Sequence, residues 1–300
     1  MKDLHVLPRF DDRLSYVYLE HGIVDQHHKS IAYHTKSGVV PIPVASLAVM
    51  MLGPGISITH AAIRVLAEHN CLIVWCGEEN VRFYACGMGG TRSSAALLHQ
   101  AWLASDPQRR EEVVRRMYQT RFQERLEEDL TIRQIRGREG LRVRSAYARL
   151  SAQFGVAWSG RSYDRGHWGS ADPVNRAIST ANACLYGLCQ AAILSIGLSP
   201  AIGFIHTGKQ LSFVYDIADL YKVEITLPVA FEAAASPEEN LERRVRLRCR
   251  DIFRETRLMQ RIVPDIRAIL GQDSRLAEFE ALLDEDTALP TPLWEPESAM

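Results

Sequence analysis

The chain has 300 residues, 47% hydrophobic and 24% charged, enough for one large core or two modest ones, which excludes a disordered or fibrous protein. Its 35 basic and 36 acidic side chains give a formal charge of -1, which taken alone argues against a nucleic-acid partner, because phosphate binding draws on surplus positive charge. The distribution reverses that argument: residues 1–90 carry -1, residues 91–270 carry +7 and residues 271–300 carry -7. Of the basic residues 30 are Arg and five are Lys. A planar guanidinium fork suits a phosphate backbone, and a genome rich in G and C raises Arg over Lys equally well.

The start, Met1-Lys2-Asp3-Leu4-His5, has no basic stretch followed by an apolar core, so no secretion signal is expected and a cytoplasmic location is. Leu14 to Leu19, Ser30 to His34 and Val44 to Met51 read as short strands, divided by turn signals such as Ser37-Gly38 and Gly53-Pro54-Gly55. A helix is expected from about Thr59 to His69, ended by Asn70, and then a hairpin of Cys71 to Cys76 with Val81 to Cys86. Gly87-Met88-Gly89-Gly90-Thr91 has too few phosphate-loop features for a nucleotide site and reads as a hinge.

Beyond it the pattern is helical: Ser94 to Ser105, Arg109 to Leu126, Thr131 to Phe154, Pro173 to Ile196, Leu211 to Tyr221, Leu241 to Leu258 and Ile262 to Leu270. The uncharged run between Arg176 and Lys209 is long enough to span a bilayer, but Asn182, Gln190, Ser195 and the Gly197-Leu198-Ser199-Pro200 break favour a buried central helix. Asp284 to Met300, with three prolines and five acidic residues, reads as a flexible tail. The expected class is therefore α+β, with a small N-terminal β domain over 1–87, a hinge at 88–93, a larger all-helical domain over 94–278 and an acidic tail over 279–300. The six cysteines include no CxxC pair and no zinc spacing, so buried free thiols are expected.

Gly203-Phe204-Ile205-His206-Thr207-Gly208-Lys209-Gln210 nearly matches a phosphate-binding loop, but Gln210 stands where a magnesium-binding hydroxyl belongs, so ATP or GTP hydrolysis is rejected. Asp216 and Asp219 lie i, i+3, on one side of an expected helix whose other arc is apolar. Alone, that segment is an amphipathic helix with a wet acidic face. With His206 it also offers oxygen and imidazole ligands of the kind Mg²⁺ or Mn²⁺ takes, and a third carboxylate would tip the balance. Glu139 is the candidate, set among five arginines between Arg133 and Arg144. Phosphates would neutralise that crowded positive charge; equally, Glu139 could simply pair with Arg136 or Arg142.

Arg136-Gly137-Arg138-Glu139-Gly140, Cys184-Leu185-Tyr186-Gly187, Pro200 to Lys209, Ser212 to Leu220 and Cys249 to Arg254, in that order, resemble the CRISPR-associated adaptation integrase in its type I-E form. Gly53-Pro54-Gly55, Ser57 to Ala62 and Ile73-Val74-Trp75 extend the resemblance into the first domain, so that it runs from about Leu14 to Leu270. The resemblance implies a homodimer built on the N-terminal β domain, with two such dimers clamping a dimer of the small ferredoxin-like second CRISPR adaptation protein. It implies Glu139, His206 and Asp219 as ligands of Mg²⁺ or Mn²⁺, with Asp216 in the same acidic site and Tyr186 lining it. Arg82, Arg136, Arg138, Arg142, Lys209, Arg246 and Arg250 become the expected DNA contacts.

The implied reaction is insertion of short foreign DNA into a CRISPR repeat array by transesterification, the 3′-OH of the captured DNA attacking a phosphodiester at a repeat border. An imidazole must be neutral to ligate a cation, so a His206 ligand implies activity that falls as pH drops through the ordinary histidine range, about 6.5. Two other readings compete: a structure-selective branched-DNA nuclease that joins nothing, and a non-catalytic DNA-binding scaffold whose acidic residues are salt-bridge partners.

Overall fold

The computed structural model describes residues 14–77, 83–89, 94–122, 126–127, 129–161, 172–236 and 239–271. Among these residues eight strands form two four-stranded sheets: β1 (Leu14–Leu19), β5 (Leu47–Leu52), β7 (Leu72–Cys76) and β8 (Phe83–Gly87) in one, β4 (Gly38–Ile42), β3 (Ser30–Thr35), β2 (Gly22–His27) and β6 (Ile56–Ile58) in the other. The first sheet is parallel through β1, β5 and β7 and closes with the antiparallel β7–β8 pair, the expected hairpin. Its tip, residues 90–93 of the expected hinge at 88–93, the DNA-contact candidate Arg82 and the acidic tail lie outside the described residues.

β5 reads Leu-Ala-Val-Met-Met-Leu and is buried at every position, as a strand covered on both faces must be. The two-residue period sends Val49 and Met51 into a core shared with the helices, and Met50 and Leu52 into a second core shared with the other sheet. β7 divides likewise, with Leu72 and Val74 on the helix side and Ile73 on the other. A helix, α1 (His60–Glu68), capped by the Thr59 hydroxyl accepting from the Ala62 amide, covers the second core together with that sheet.

Among the described residues eight further α-helices follow: α2 (Ala95–Ser105), α3 (Pro107–Phe122), α4 (Ile132–Phe154), α5 (Pro173–Ser195), α6 (Ser212–Ala218), α7 (Leu227–Ala235), α8 (Leu241–Glu255) and α9 (Leu258–Leu270). α5 starts from an Asp172 cap with Pro173 in its first turn, and α4 from a complete capping box of Thr131 and Gln134; Gly155, at φ 65°, ends α4. α5 is long and apolar enough to cross a membrane, yet most of it is buried among α6, α7, α8, α9 and β5, as expected of a central helix. It runs so close to the first sheet that a Cβ on Gly187 would stand 2.6 Å from the Met51 methyl.

Several elements were not legible in advance. β2 carries Asp25, Gln26 and His27, and β4, an edge strand, carries Pro41, so neither has the apolar alternation of a strand. The expected strand from Val44 opens as a 3₁₀ turn, Val44–Ser46. The helix expected over Leu211 to Tyr221 stops at Ala218, and a π-helical turn, Lys222–Thr226, leads into α7, whose β-branched entry and Pro228 conceal it. Five cysteines are buried thiols in no disulfide, as expected, whereas Cys86 is exposed on β8.

Because α5 and the first sheet share one core and a side chain at Gly187 would displace the buried Met51 methyl, Gly187→Val is expected to lower the unfolding free energy by about 1–3 kcal/mol. Urea denaturation measures this; an unchanged midpoint would mean that the helix–sheet contact is loosely packed.

Candidate active site

The site forms where α3, α4, α5, α6 and the loop from Ser199 to Gly208 meet. Asp216, in α6, is fully buried. A buried carboxylate must be solvated by donors, and its oxygens accept from the backbone amides of Phe204 (2.6 Å), Ile205 (3.1 Å) and His206 (2.9 Å) and from His206 Nδ1 (2.7 Å). The loop is gripped from its other side. Gln100 donates to the carbonyls of Ser199 and Ile202 and accepts from the Ser199 amide, and Arg110 donates twice to the Phe204 carbonyl. Gly203 allows the close return: a Cβ there would lie 2.2 Å from the His206 carbonyl oxygen. The motif that resembled a phosphate loop is thus a scaffold for one imidazole.

With Nδ1 donating to a carboxylate, the His206 proton is assigned to that nitrogen and Nε2 presents its lone pair, 4.0 Å from Asp219 Oδ2. The two aspartates one helical turn apart therefore bracket the ring by its two nitrogens. His206 is 42% exposed and marks where the site meets solvent.

Asp219 caps the C-terminal end of α6, where the helix dipole disfavours an anion. Two cations compensate: Lys222 Nζ lies 2.6 Å from Oδ1, and Arg121 Nη2, from the end of α3, lies 3.3 Å from Oδ2. Burial pushes the Asp219 carboxyl up, but Lys222, Arg121 and His206 outweigh it and hold the group below its ordinary value. Burial in turn pushes Lys222 down, and Asp219 and Tyr186 overcome that and raise it. The Lys222 ammonium also sits 4.9 Å from the centre of the Tyr186 ring, which lies edge-on to Tyr215.

Glu139 arrives from α4, gripped by Arg142 through bonds of 2.9 and 3.2 Å and approached by Arg121 Nη1 at 3.9 Å. The pairing with Arg142 weighed from spacing alone is therefore real, and it coexists with the convergence on Asp219, because Arg121 touches both carboxylates. Glu139, Tyr186, His206, Asp216 and Asp219 are thus brought to one place. Sequence reasoning missed Arg121, Lys222 and Tyr215. Lys222 had a signal, its i, i+3 spacing from Asp219, whereas Arg121 lies nearly one hundred residues away and had none.

The remaining candidates are dispersed. Arg136 and Arg138 are exposed on α4, Arg138 pairing with Glu127 at 2.9 Å, and Lys209 is exposed beside the loop. Arg250 is exposed on α8, but Arg246 is buried, its guanidinium 4.2 Å from the centre of the Tyr18 ring and its carbonyl accepting from Tyr16.

The donor set fits a hard divalent cation in kind: two carboxylates and an imidazole nitrogen, with a carboxylate behind the imidazole to orient it. His206 Nε2 and Asp219 Oδ2 are also within the span of two ligands on one ion, about 4.2 Å. Among the described residues no three such side chains stand together as a ready cage. Arg121, Arg142 and Lys222 hold the carboxylate oxygens instead.

Comparison with known proteins shows which class of protein carries this fold and this site. Residues 118–238 match the family model described as CRISPR associated protein Cas1. A CRISPR-associated endonuclease Cas1 of Thermus thermophilus is 51% identical over 98% of this chain and 90% of its own length, and that of Escherichia coli K12 is 46% identical over 87% and 86%. The crystal structure of a TtCas1–DNA complex superposes with a TM-score of 0.81 at 48% identity, covering 95% of this chain and 98% of that one. The chain belongs to the Cas1 family of CRISPR-associated endonucleases.

The linked Asp219 and Lys222 pair sets a stability window. Asp219, with its folded value lowered, adds stability that is present above the ordinary carboxylate value and lost as pH falls below it. Lys222, with its folded value raised, adds stability that is present below the ordinary lysine value and lost as pH rises beyond it. Asp219→Asn, which strands a mostly buried ammonium, is expected to cost about 3 kcal/mol at neutral pH. That cost should shrink below about pH 4. Denaturant titrations at several pH values check this, and a deficit that persists unchanged at low pH would contradict it.

Proposed function

We propose that this chain is a divalent-metal-dependent DNA endonuclease and integrase of CRISPR adaptation, which inserts short foreign DNA into a repeat array. The observation that carries the reading is that Arg121 lies between Glu139 and Asp219, carboxylates from two separate helices, while His206 Nε2 stands 4.0 Å from Asp219. Glu139, His206 and Asp219 would hold Mg²⁺ or Mn²⁺. When bound, such an ion supplies electrophilic activation of the scissile phosphate and neutralises charge that builds on its oxygens.

The chain's own residues do the rest. Asp216 keeps the proton of His206 on Nδ1 and fixes the ring plane, so that Nε2 faces the reaction site. Lys222 and Tyr186 shape the wall beside Asp219, and Lys222 places a positive charge close to where a phosphate would lie. The 3′-OH of the incoming strand forms one P–O bond as the repeat phosphodiester loses another. Neither ATP nor a covalent protein intermediate is required. The exposed arginines Arg136, Arg138 and Arg250, with Lys209, would hold backbone phosphates without reading sequence, and Arg82 belongs to the same expectation. Arg142 would contribute only by releasing Glu139, and Arg246, being buried, would act through Tyr16 and Tyr18 and not as a direct contact.

The TtCas1 structure was solved with DNA, which supports a DNA substrate here. The type I-E assignment, the homodimer through the N-terminal strands, the complex with the small ferredoxin-like adaptation protein and a cytoplasmic site of action rest on the motif resemblance.

The reading is tested by incubating the protein, with its small partner, with a 3′-OH duplex and a supercoiled plasmid bearing a repeat array, in Mg²⁺ or Mn²⁺. Strand transfer is expected, abolished by Asp219→Ala and reduced about 10–100-fold by Asp216→Asn, which deprives His206 of its anchor. Cleavage without joining would point to a branched-DNA nuclease, and DNA binding indifferent to metal and mutation would point to a scaffold.

A further inference from the structure

Arg121 is the unusual charge in this site. It leaves the last turn of α3, its side chain only 4% exposed, and reaches Asp219 at 3.3 Å and Glu139 at 3.9 Å while its Nη2 also donates to the Asp216 carbonyl at 3.4 Å. Its Nε is buried with no hydrogen-bond partner, a cost that the surrounding structure must offset. Tyr118 from the same helix places a ring 5.2 Å from the guanidinium carbon. Lys222 serves Asp219 and Arg142 serves Glu139; among the described residues, Arg121 is the cation that both carboxylates share. A guanidinium stays charged at any working pH, so this neutralisation is permanent.

We infer that Arg121 is a positioning residue which acts as a built-in counter-cation, holding Glu139 and Asp219 together in place of a divalent ion until that ion arrives. The inference rests on the metal-dependent reading above. Two carboxylates drawn to one spot without a cation repel each other in a poorly solvated site, and Arg121 removes that repulsion in the metal-free protein. The same fixed charge opposes an incoming dication. The protein thus exchanges tight metal binding for two carboxylates that are already held near one another before metal and DNA reach them.

The experiment uses Mn²⁺ as the probe, with the full chain, and reads two quantities besides activity: Mn²⁺ affinity, from loss of the free-ion electron paramagnetic resonance signal, and the melting temperature with and without Mn²⁺. Arg121→Gln should melt about 5 °C lower than the parent without metal. It should bind Mn²⁺ about tenfold more tightly and gain more from saturating Mn²⁺ than the parent does. Arg121→Lys, whose single ammonium can serve one carboxylate at a time, should move both quantities in the same direction by less, and it carries the test if the Gln variant does not fold. Equal or weaker Mn²⁺ binding in the variants, with the parent binding normally and Asp219→Asn not binding, would overturn the inference and leave Arg121 an ordinary structural ion pair. Absence of Mn²⁺ binding to the parent would overturn the metal-dependent reading itself, and the inference with it.

Discussion

A carboxylate sealed from water must find donors, and the way Asp216 finds them dictates the rest of the site. Three consecutive backbone amides and one imidazole nitrogen converge on its two oxygens. That solvation forces the chain after Gly203 into a tight turn, and the turn in turn leaves His206 one orientation. Gln100 and Arg110 complete the same constraint from α2 and α3 by satisfying the carbonyls that the turn would otherwise leave bare. Asp216 looks like an active-site acid in the linear sequence; in three dimensions its oxygens are taken up by four donors, so in the proposed function its part passes through the imidazole.

The larger architecture serves this placement. α5 is packed between the first sheet and the helices α6 to α9, which fixes Tyr186 on its solvent-facing side. The π-helical turn after α6 carries Lys222, an extra-wide turn at a point where the chain must return its ammonium to Asp219. Glu139 reaches the same place from the middle of a 23-residue helix whose ends are firmly capped, so its position is set by a rigid element and not by a loop. The site joins rigid elements through one tightly satisfied turn.

Much of this was legible before the structure. Glu139, His206 and Asp219 were chosen by residue chemistry and motif order; Arg121 lies against both Glu139 and Asp219, and His206 Nε2 lies 4.0 Å from Asp219; most helices were also visible, because their apolar periods and caps are regular. What escaped has physical causes. β2 and β4 are half-exposed strands with polar or proline positions, so their pairing partners determine them more than their own sequences do. Arg121 was one guanidinium among thirty, and only tertiary packing distinguishes it from a solvated surface residue. Arg246 shows the converse: the resemblance marks it as a DNA contact, and amphipathic phase turns it inward against Tyr18. The net charge of -1 misled for a related reason, since a sum over the chain erases the +7 of the segment that holds the site.

The central claim is that Glu139, His206 and Asp219 form one cation site that Asp216 orients without entering. A crystal soaked in Mn²⁺ and measured for anomalous scattering tests it directly. The account predicts a single strong anomalous peak bounded by the Glu139 carboxylate, His206 Nε2 and the Asp219 carboxylate, with His206 Nδ1 still bonded to Asp216. A peak seated on Asp216, or no peak near His206 while the ion binds elsewhere on the chain, would contradict it.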